Sequence, residues 1–141
     1  MWQLCWEGNL AKVMAALARG EDVNTKSSGN RTGLMLAVMK KYNLIVKLML
    51  EQPTVDLNWT YYSSETALHL AACFDNAEAV QLLLADSRLT TANHKDNNDE
   101  TPVMMAMRRN SVNALRELVT HPSVDLDTLD IKGRSLEEVA R

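Results

Sequence analysis

The sequence predicts an all-α repeat solenoid, and three observations carry that prediction: a period near 34 residues, a hydroxyl residue opening each copy, and an apolar block closing it. Three copies align directly, as TGLMLAVMKK from Thr32, TALHLAACFD from Thr66 and TPVMMAMRRN from Thr101. A shorter copy, SLEEVAR, begins at Ser135. The successive steps are 34, 35 and 34 residues, so the register is kept along the chain.

The hydroxyl residue of each copy occupies a helix N-cap position, where its oxygen accepts a hydrogen bond from an unpaired helix N–H. Pro102 follows one of these caps, and a proline suits the first position of a helix. An alanine stands five residues after every cap and allows the first helix to approach its neighbours closely. These alanines are Ala37, Ala71, Ala106 and Ala140.

A second helix is predicted from the block that recurs in each copy, IVKLML (45–50), AVQLLL (79–84) and ALRELV (114–119). Its Leu, Val and Met side chains form an apolar ridge. One helix pair cannot bury such a ridge alone, so the pairs must stack. An incomplete first copy, GNLAKVMAALARGEDVN, covers residues 8–24.

The order T-x-L-H-L-A-A, helix turn, V-x-L-L-L and D-V-N resembles the ankyrin repeat over essentially the whole chain, and TALHLAACFDNAEAVQLLL is the best copy. The resemblance implies antiparallel helix pairs joined by β-hairpin fingers. It predicts one domain over residues 1–141, with repeats at about 1–29, 30–63, 64–98 and 99–132 and a partial capping helix at 133–141. Since that helix is only begun, we expect the native protein to continue.

The copies depart from the family pattern at two positions. The histidine that the family pairs with threonine is kept only as His69, with Met35 and Met104 in its place elsewhere, so those repeats are expected to be less rigid. Repeat two, with Gly33 at its helix start, is expected to be the loosest. The glycine between the two helices is kept only as Gly8; the matching residues are Lys41, Asp75 and Asn110, where a positive φ would be tolerated at some cost.

Composition and motifs exclude several functions. The net charge of −3 and pI near 5.6 argue against a dedicated nucleic-acid or acidic-membrane binder. No secretory signal and no membrane-length apolar run is present, and the two cysteines, Cys5 and Cys73, suit a reducing compartment, so we expect a cytoplasmic or nuclear location. No catalytic, phosphate-binding or metal-binding motif occurs, so neither an enzyme nor a cofactor is expected. Four methionines are interpreted as core-filling residues, and these are Met35, Met49, Met104 and Met105.

A partner-binding surface follows from the resemblance, because the family makes contact through the end of the first helix and the finger tips. The residues predicted for this surface are Trp6, Met39, Lys40, Tyr62, Phe74, Arg108, Arg109, Lys132 and Arg134, with Trp59 and Tyr61 flanking the contact positions of their finger. They predict a groove with an aromatic centre and a basic C-terminal end, and interfaces favour aromatic residues and arginine. The alternative is that Trp6 and Phe74 pack between repeats while the arginines form a solvated face.

The function expected from this surface is that of an adaptor or scaffold that binds a peptide or domain of another protein on its concave face. A second hypothesis is a regulatory inhibitor of a kinase or of a transcription factor, similar to the ankyrin inhibitors of that size. Direct nucleic-acid binding through Arg108 and Arg109 is the least favoured reading because of the net charge. The isolated chain is expected to be a monomer.

Overall fold

The computed structural model describes residues 1–127, and the predictions for residues 128–141, including Ser135, Ala140 and the closing helix, lie outside the described residues. Eight α-helices are present in the described part of the chain. They are α1 (Trp2–Glu7), α2 (Leu10–Ala18), α3 (Gly33–Lys40), α4 (Asn43–Leu50), α5 (Ala67–Cys73), α6 (Ala77–Ala85), α7 (Pro102–Arg108) and α8 (Val112–Thr120). Within residues 1–127, no helix is both long enough and apolar enough to cross a membrane.

The three threonines cap their helices as predicted. The hydroxyl oxygens of Thr32, Thr66 and Thr101 accept hydrogen bonds from backbone N–H groups three residues ahead, at 3.2, 3.3 and 3.4 Å. Pro102 stands at the start of α7. Each cap satisfies one N–H that the helix leaves unpaired, and this explains why a hydroxyl residue recurs there.

A residue in the left-handed conformation joins the two helices of every pair. Gly8, Lys41, Asp75 and Asn110 have φ values of 74°, 61°, 53° and 56°. The positive φ expected at these positions is therefore present, and three of the four residues adopt it despite a Cβ atom. A Cβ on Gly8 would lie 2.6 Å from the Tyr42 ring, so this position requires glycine for space as well.

The helices form two rows. The inner row consists of α1, α3, α5 and α7, each packed against the next, and the outer row consists of α2, α4, α6 and α8. Ala37, Ala71 and Ala106 are fully buried where the inner helices meet, as the recurring alanine predicted. Met35, Met49 and Met105 are also buried, and Met104 packs partly buried against the same core. The stacked solenoid predicted from the period is confirmed.

Close packing of neighbouring helices explains why residue 33 is a glycine. A Cβ there would lie 2.8 Å from the sulfur of Cys5 on α1 and 3.3 Å from the Met49 side chain. The glycine therefore allows α1 and α3 to approach closely, which is a different role from the weak helix start that its residue type suggested. That repeat two packs more loosely than the others remains a prediction. A gap at Gly33 would not be its cause, because the space around this residue is filled.

An asparagine after each of the first three outer helices links its repeat to the next. The Asn24 side chain donates to the Thr54 carbonyl at 2.8 Å and accepts from the Asp56 N–H at 2.8 Å. Asn58 and Asn93 repeat this pattern one and two repeats further along the chain. Each amide satisfies a carbonyl and an N–H in a loop without regular structure, so the three form a ladder along the outer row.

The fingers are short hairpin turns, and one isolated antiparallel bridge, between Lys26 and Thr32, is the only β-pairing among the described residues. We define finger 1 as residues 25–31, finger 2 as 59–65 and finger 3 as 94–100. Each tip has a positive-φ residue, namely Asn30, Ser64 or Asp99. The N–H of that residue closes a turn to the carbonyl three residues back, at 2.7 to 3.0 Å. The β-hairpin fingers of the sequence prediction are thus reduced to their turns.

Candidate functional site

The candidate site consists of the ends of the inner helices and the tip of finger 2. The inner helices stand side by side, so the residues at their C-terminal ends form one row across the molecule. We call this the inner-end row; it comprises Trp6, Glu7, Met39, Lys40, Cys73, Phe74, Arg108 and Arg109. The structure therefore brings together the helix residues that the sequence placed in the partner-binding surface.

Contacts within the inner-end row join one repeat to the next. The Lys40 ammonium lies 4.3 Å from the centre of the Trp6 ring, a cation–π contact between repeats one and two. The Arg109 guanidinium donates to the sulfur of Cys73 at 3.0 and 3.2 Å, between repeats four and three. In both contacts, the second residue of a repeat's pair reaches back to the first residue of the preceding pair.

Exposure separates the aromatic residues into two groups. Trp6, Phe74 and Tyr62 are 45%, 38% and 74% exposed, and the other aromatic side chains of the described residues are half-buried. Phe74 follows directly on α5 and therefore stands at the edge of the core. In the alternative interpretation, Trp6 and Phe74 simply pack between repeats. Little more than half of either side chain is buried in this way, so a large part of each remains exposed.

The basic end of the predicted groove is weaker than the sequence suggested. The Arg108 guanidinium forms an ion pair with Glu100 at 2.7 Å, and this hydrogen bond raises the pKa of Arg108 further above its ordinary value. Arg109 is exposed and lies on Cys73. Lys132 and Arg134 lie outside the described residues. Of the four basic residues predicted for this end of the groove, Arg109 is therefore the one that is described and not in an ion pair, which is little for nucleic-acid binding.

Trp59 and Tyr61 have contacts inside the molecule that explain their place in finger 2. The Trp59 indole N–H donates to the Asn30 carbonyl at 2.9 Å, and the Lys26 ammonium lies 4.0 Å from the centre of its ring. The Arg31 guanidinium lies 4.5 Å from the Tyr61 ring centre. The sequence pattern placed all three aromatics of this finger in the partner-binding surface, but two of them join finger 2 to finger 1.

Tyr62 differs from its neighbours because only its backbone is held. Its carbonyl accepts from the Asn97 side chain at 3.1 Å, and the Ser63 carbonyl accepts from the Asn97 N–H at 2.9 Å. The side chain itself is 74% exposed. A rigid backbone that presents an exposed aromatic ring loses little conformational entropy on binding, so Tyr62 suits a contact residue.

His69 ties the inner row to the fingers. Its Nδ1 accepts hydrogen bonds from the Thr66 N–H at 3.1 Å and the Thr66 hydroxyl at 2.9 Å, so the ring proton lies on Nε2 and is donated to the Glu100 carbonyl at 2.9 Å. Burial lowers the pKa of His69 below 6.5, and the nearby Asp96 and Glu65 carboxylates oppose that shift only in part. The neutral ring thus serves as a structural link, as its family position implied.

The side chains of residues 1–127 that could ligate a metal are dispersed. No three His, Cys, Asp or Glu side chains of this part of the chain are grouped so that they could hold a metal ion. Cys5 and Cys73 are both free thiols. Burial raises the pKa of the Cys5 thiol to about 11, so it stays protonated and acts as a small core residue.

Four helix pairs stacked in two rows, with a turn finger before each inner helix from α3 onwards, define a helical-repeat protein. The family model described as ankyrin repeats (3 copies) matches residues 1–93. The chain belongs to the ankyrin-repeat family. Proteins of this family are in general protein–protein interaction modules without enzymatic activity.

A curated relative is the transient receptor potential cation channel subfamily A member 1 of Homo sapiens. It is 31% identical to this chain over 78 residues, which is 55% of this chain and 7% of the channel protein. The chain thus spans less than a tenth of the length of that relative. The likeness covers a repeat segment and carries no activity to this chain.

Proposed function

We propose that this chain is an adaptor or scaffold module that binds a peptide or domain of another protein across the inner-end row and the tip of finger 2. The observation that supports the proposal is the placement of exposed aromatic side chains. All three that are exposed among the described residues, Trp6, Tyr62 and Phe74, belong to the inner helix ends or a finger. Aromatic residues that are costly to expose are common at interface hot spots.

The remaining surface offers a natural comparison. Leu44 on α4 and Met14 on α2 are 69% and 54% exposed, and both lie on outer helices, away from the inner-end row and the fingers. Scattered apolar residues of that kind are ordinary on protein surfaces. We therefore assign binding to the inner-end row with Tyr62, and we keep Trp59 and Tyr61 as residues that support it.

The inhibitor hypothesis belongs to the same class of function and would use the same surface. No contact among the described residues favours a kinase or a transcription factor as the partner. Nucleic-acid binding has less support, because the ion pair with Glu100 neutralises Arg108. The adaptor role thus remains the proposal, with an inhibitor as one form that it can take.

The test is quantitative affinity capture from cells that express the protein, followed by mass spectrometry. Phe74→Ala and Tyr62→Ala should each reduce recovery of a true partner by about fivefold or more. Leu44→Ala is the matched control, since it removes from the outer row an apolar side chain that is 69% exposed, close to the 74% of Tyr62. Partners that are lost with Leu44→Ala and kept with the other two variants would contradict the proposed surface.

A further inference from the structure

Two cations of finger 1 are held on aromatic rings of finger 2. Lys26 lies on Trp59 and Arg31 lies on Tyr61, at 4.0 and 4.5 Å from the ring centres. The backbone between the two fingers is fixed by the bond from the Trp59 indole to the Asn30 carbonyl. Both cations are thus placed on the side of finger 1 that faces finger 2, with their long side chains ordered before any partner arrives.

Neither cation has an anionic partner among residues 1–127. The Nε of Arg31 is buried and donates no hydrogen bond to any described group. Desolvated donors without an acceptor are unfavourable, and two neighbouring positive charges repel one another. An anionic group bound between the fingers would relieve the repulsion between the two cations.

Charge is distributed unevenly over the two sides of the described chain. The inner helices, the rest of the inner-end row and the fingers carry five acidic and six basic residues, whereas the outer helices and the remaining loops carry ten acidic and six basic ones. On the finger side, Glu100 and Asp99 already pair with Arg108 and Lys95, and Asp96 is buried. The finger side therefore attracts an acidic partner although the net charge of the protein is negative.

Geometry narrows the type of acidic partner. Trp59 and Tyr61 are two residues apart, which limits the distance between their Cα atoms to about 7 Å. Alternate side chains on one face of an extended peptide have this same spacing. Two carboxylates at positions i and i+2 of an extended segment have a spacing within that limit, so one carboxylate can face each ring-bound cation.

The ring faces argue against bases as the occupant. Binding of single-stranded nucleic acid relies on aromatic faces on which bases stack. In fingers 1 and 2 the cations already cover one face of Trp59 and of Tyr61. A protein segment that supplies carboxylates makes use of the cations without displacing them.

We propose that fingers 1 and 2 bind an extended acidic peptide whose carboxylates, at alternate positions, pair with Lys26 and Arg31. This inference rests on the proposed function, and it names the partner class as an acidic, extended segment of another protein. Arg31 provides the planar donor group that a carboxylate can accept in bidentate fashion. Lys26 supplies a point charge beside it.

The experiment titrates the 141-residue chain with a fluorescein-labelled peptide of alternating glutamate and serine, measured by fluorescence anisotropy at low salt. Binding should weaken about tenfold or more when Lys26 and Arg31 are both changed to glutamine, because both ion pairs are removed. The matched control is Lys12→Gln with Lys47→Gln, which removes two cations from the outer helices. A peptide with glutamine in place of glutamate and a single-stranded oligonucleotide complete the set.

Arg31→Lys guards against loss of the fold, since it keeps the charge and removes only the planar donor group. It should bind the acidic peptide with an affinity between those of the wild type and the double variant. In the wild type, the indole N–H resonance of Trp59 should shift on titration, whereas the indoles of Trp2 and Trp6 stay in place. These readouts do not depend on the double variant being as stable as the wild type.

Equal binding by wild type and by the Lys26 and Arg31 double variant would overturn the proposal. So would equal binding of the glutamine peptide, tighter binding of the oligonucleotide, or no binding of the acidic peptide. The proposed function is tested separately through Phe74 and Tyr62. If capture of partners depends on those two residues while the acidic peptide fails to bind, the acidic-peptide inference alone is wrong.

Discussion

Replacing Asn58 with alanine removes three hydrogen bonds that join repeat two to repeat three. The Asn58 side chain donates to the Arg88 carbonyl at 2.9 Å and accepts from the Thr90 N–H and the Thr91 hydroxyl, both at 2.9 Å. Alanine supplies neither donor nor acceptor. The loop after α6 then loses these three bonds and keeps those from the Arg88 guanidinium to the Leu50 and Gln52 carbonyls.

The expected loss follows from the number of bonds and from their exposure. A hydrogen bond of this kind contributes about 1 kcal/mol to stability, so three give an upper value of about 3 kcal/mol. Asn58 is half-buried, and water can reach part of the released Arg88 and Thr90 groups. We therefore expect the free energy of unfolding to fall by about 2 kcal/mol, which lowers the melting temperature by about 8 °C for a domain of this size.

The assay is urea unfolding followed by circular dichroism, with three further alanine variants. Asn24→Ala and Asn93→Ala each remove two bonds of the same ladder and should lose less stability than Asn58→Ala. Asn98→Ala is the control, since its side chain is exposed and makes no hydrogen bond to the described residues; its effect should stay within about 0.5 kcal/mol. Asn58→Ala as stable as Asn98→Ala would refute the ladder as a source of stability.

Three more outcomes are expected. Because the pKa of His69 is lowered in the folded state, its contribution to the free energy of unfolding is fully present above pH 6.5 and falls as the pH drops from 6.5 towards the folded-state pKa. His69→Gln should remove this part of the pH dependence in unfolding curves. Gly8→Ala should destabilise by about 2 to 4 kcal/mol in urea unfolding, and Gly20→Ala by about 1 kcal/mol, since both have positive φ but only Gly8 lacks space. Trp59→Phe should cost about 1 kcal/mol in thermal unfolding, because it removes the bond to the Asn30 carbonyl and keeps the ring.

Each of these three expectations would be contradicted by a specific result. An unchanged pH profile in the His69 variant would show that the buried ring takes up its proton as easily in the folded as in the unfolded chain. Equal losses for the Gly8 and Gly20 variants would mean that the Tyr42 ring moves aside freely. A Trp59→Phe variant as stable as the wild type would leave the indole bond without energetic importance.

Local rules were enough to predict the helix starts and the links between helices. A hydroxyl before an apolar helix marks an N-cap wherever it occurs, and Thr32, Thr66 and Thr101 all behave as such. Asp75 and Asn110 stand where the family has glycine, and their side chains tolerate the left-handed conformation. The repeat period then predicted that the helix pairs stack, because each pair leaves an apolar ridge uncovered.

The roles of Trp59 and Tyr61 could not be predicted in that way. Their residue type suggested binding, and their actual contacts are with Lys26, Asn30 and Arg31, about one repeat earlier in the chain. Met35 occupies in repeat two the position that His69 occupies in repeat three, and it has no ring nitrogen that could tie its helix to the next finger. On that side, the Trp59 indole instead bonds finger 2 to finger 1. This replacement of one link between repeats by another depends on residues of two repeats, so it cannot be predicted from the sequence of a single repeat.

The asparagine ladder was missed although the period contains its signal. Asn24, Asn58 and Asn93 recur 34 and 35 residues apart, in step with the caps. Residue type alone explains them as turn formers, because asparagine is common in turns for local reasons. A polar residue that keeps the repeat register has a second explanation, namely hydrogen bonds to the neighbouring repeat.

The central claim, that partners bind at the inner-end row and the tip of finger 2, is tested most directly by hydrogen–deuterium exchange of the chain alone and with a captured partner. We predict slower exchange in the partner complex at residues 6–8, 39–41, 61–64 and 73–75. Slower exchange confined to the outer helices α4 and α6, with those four segments unchanged, would contradict the claim.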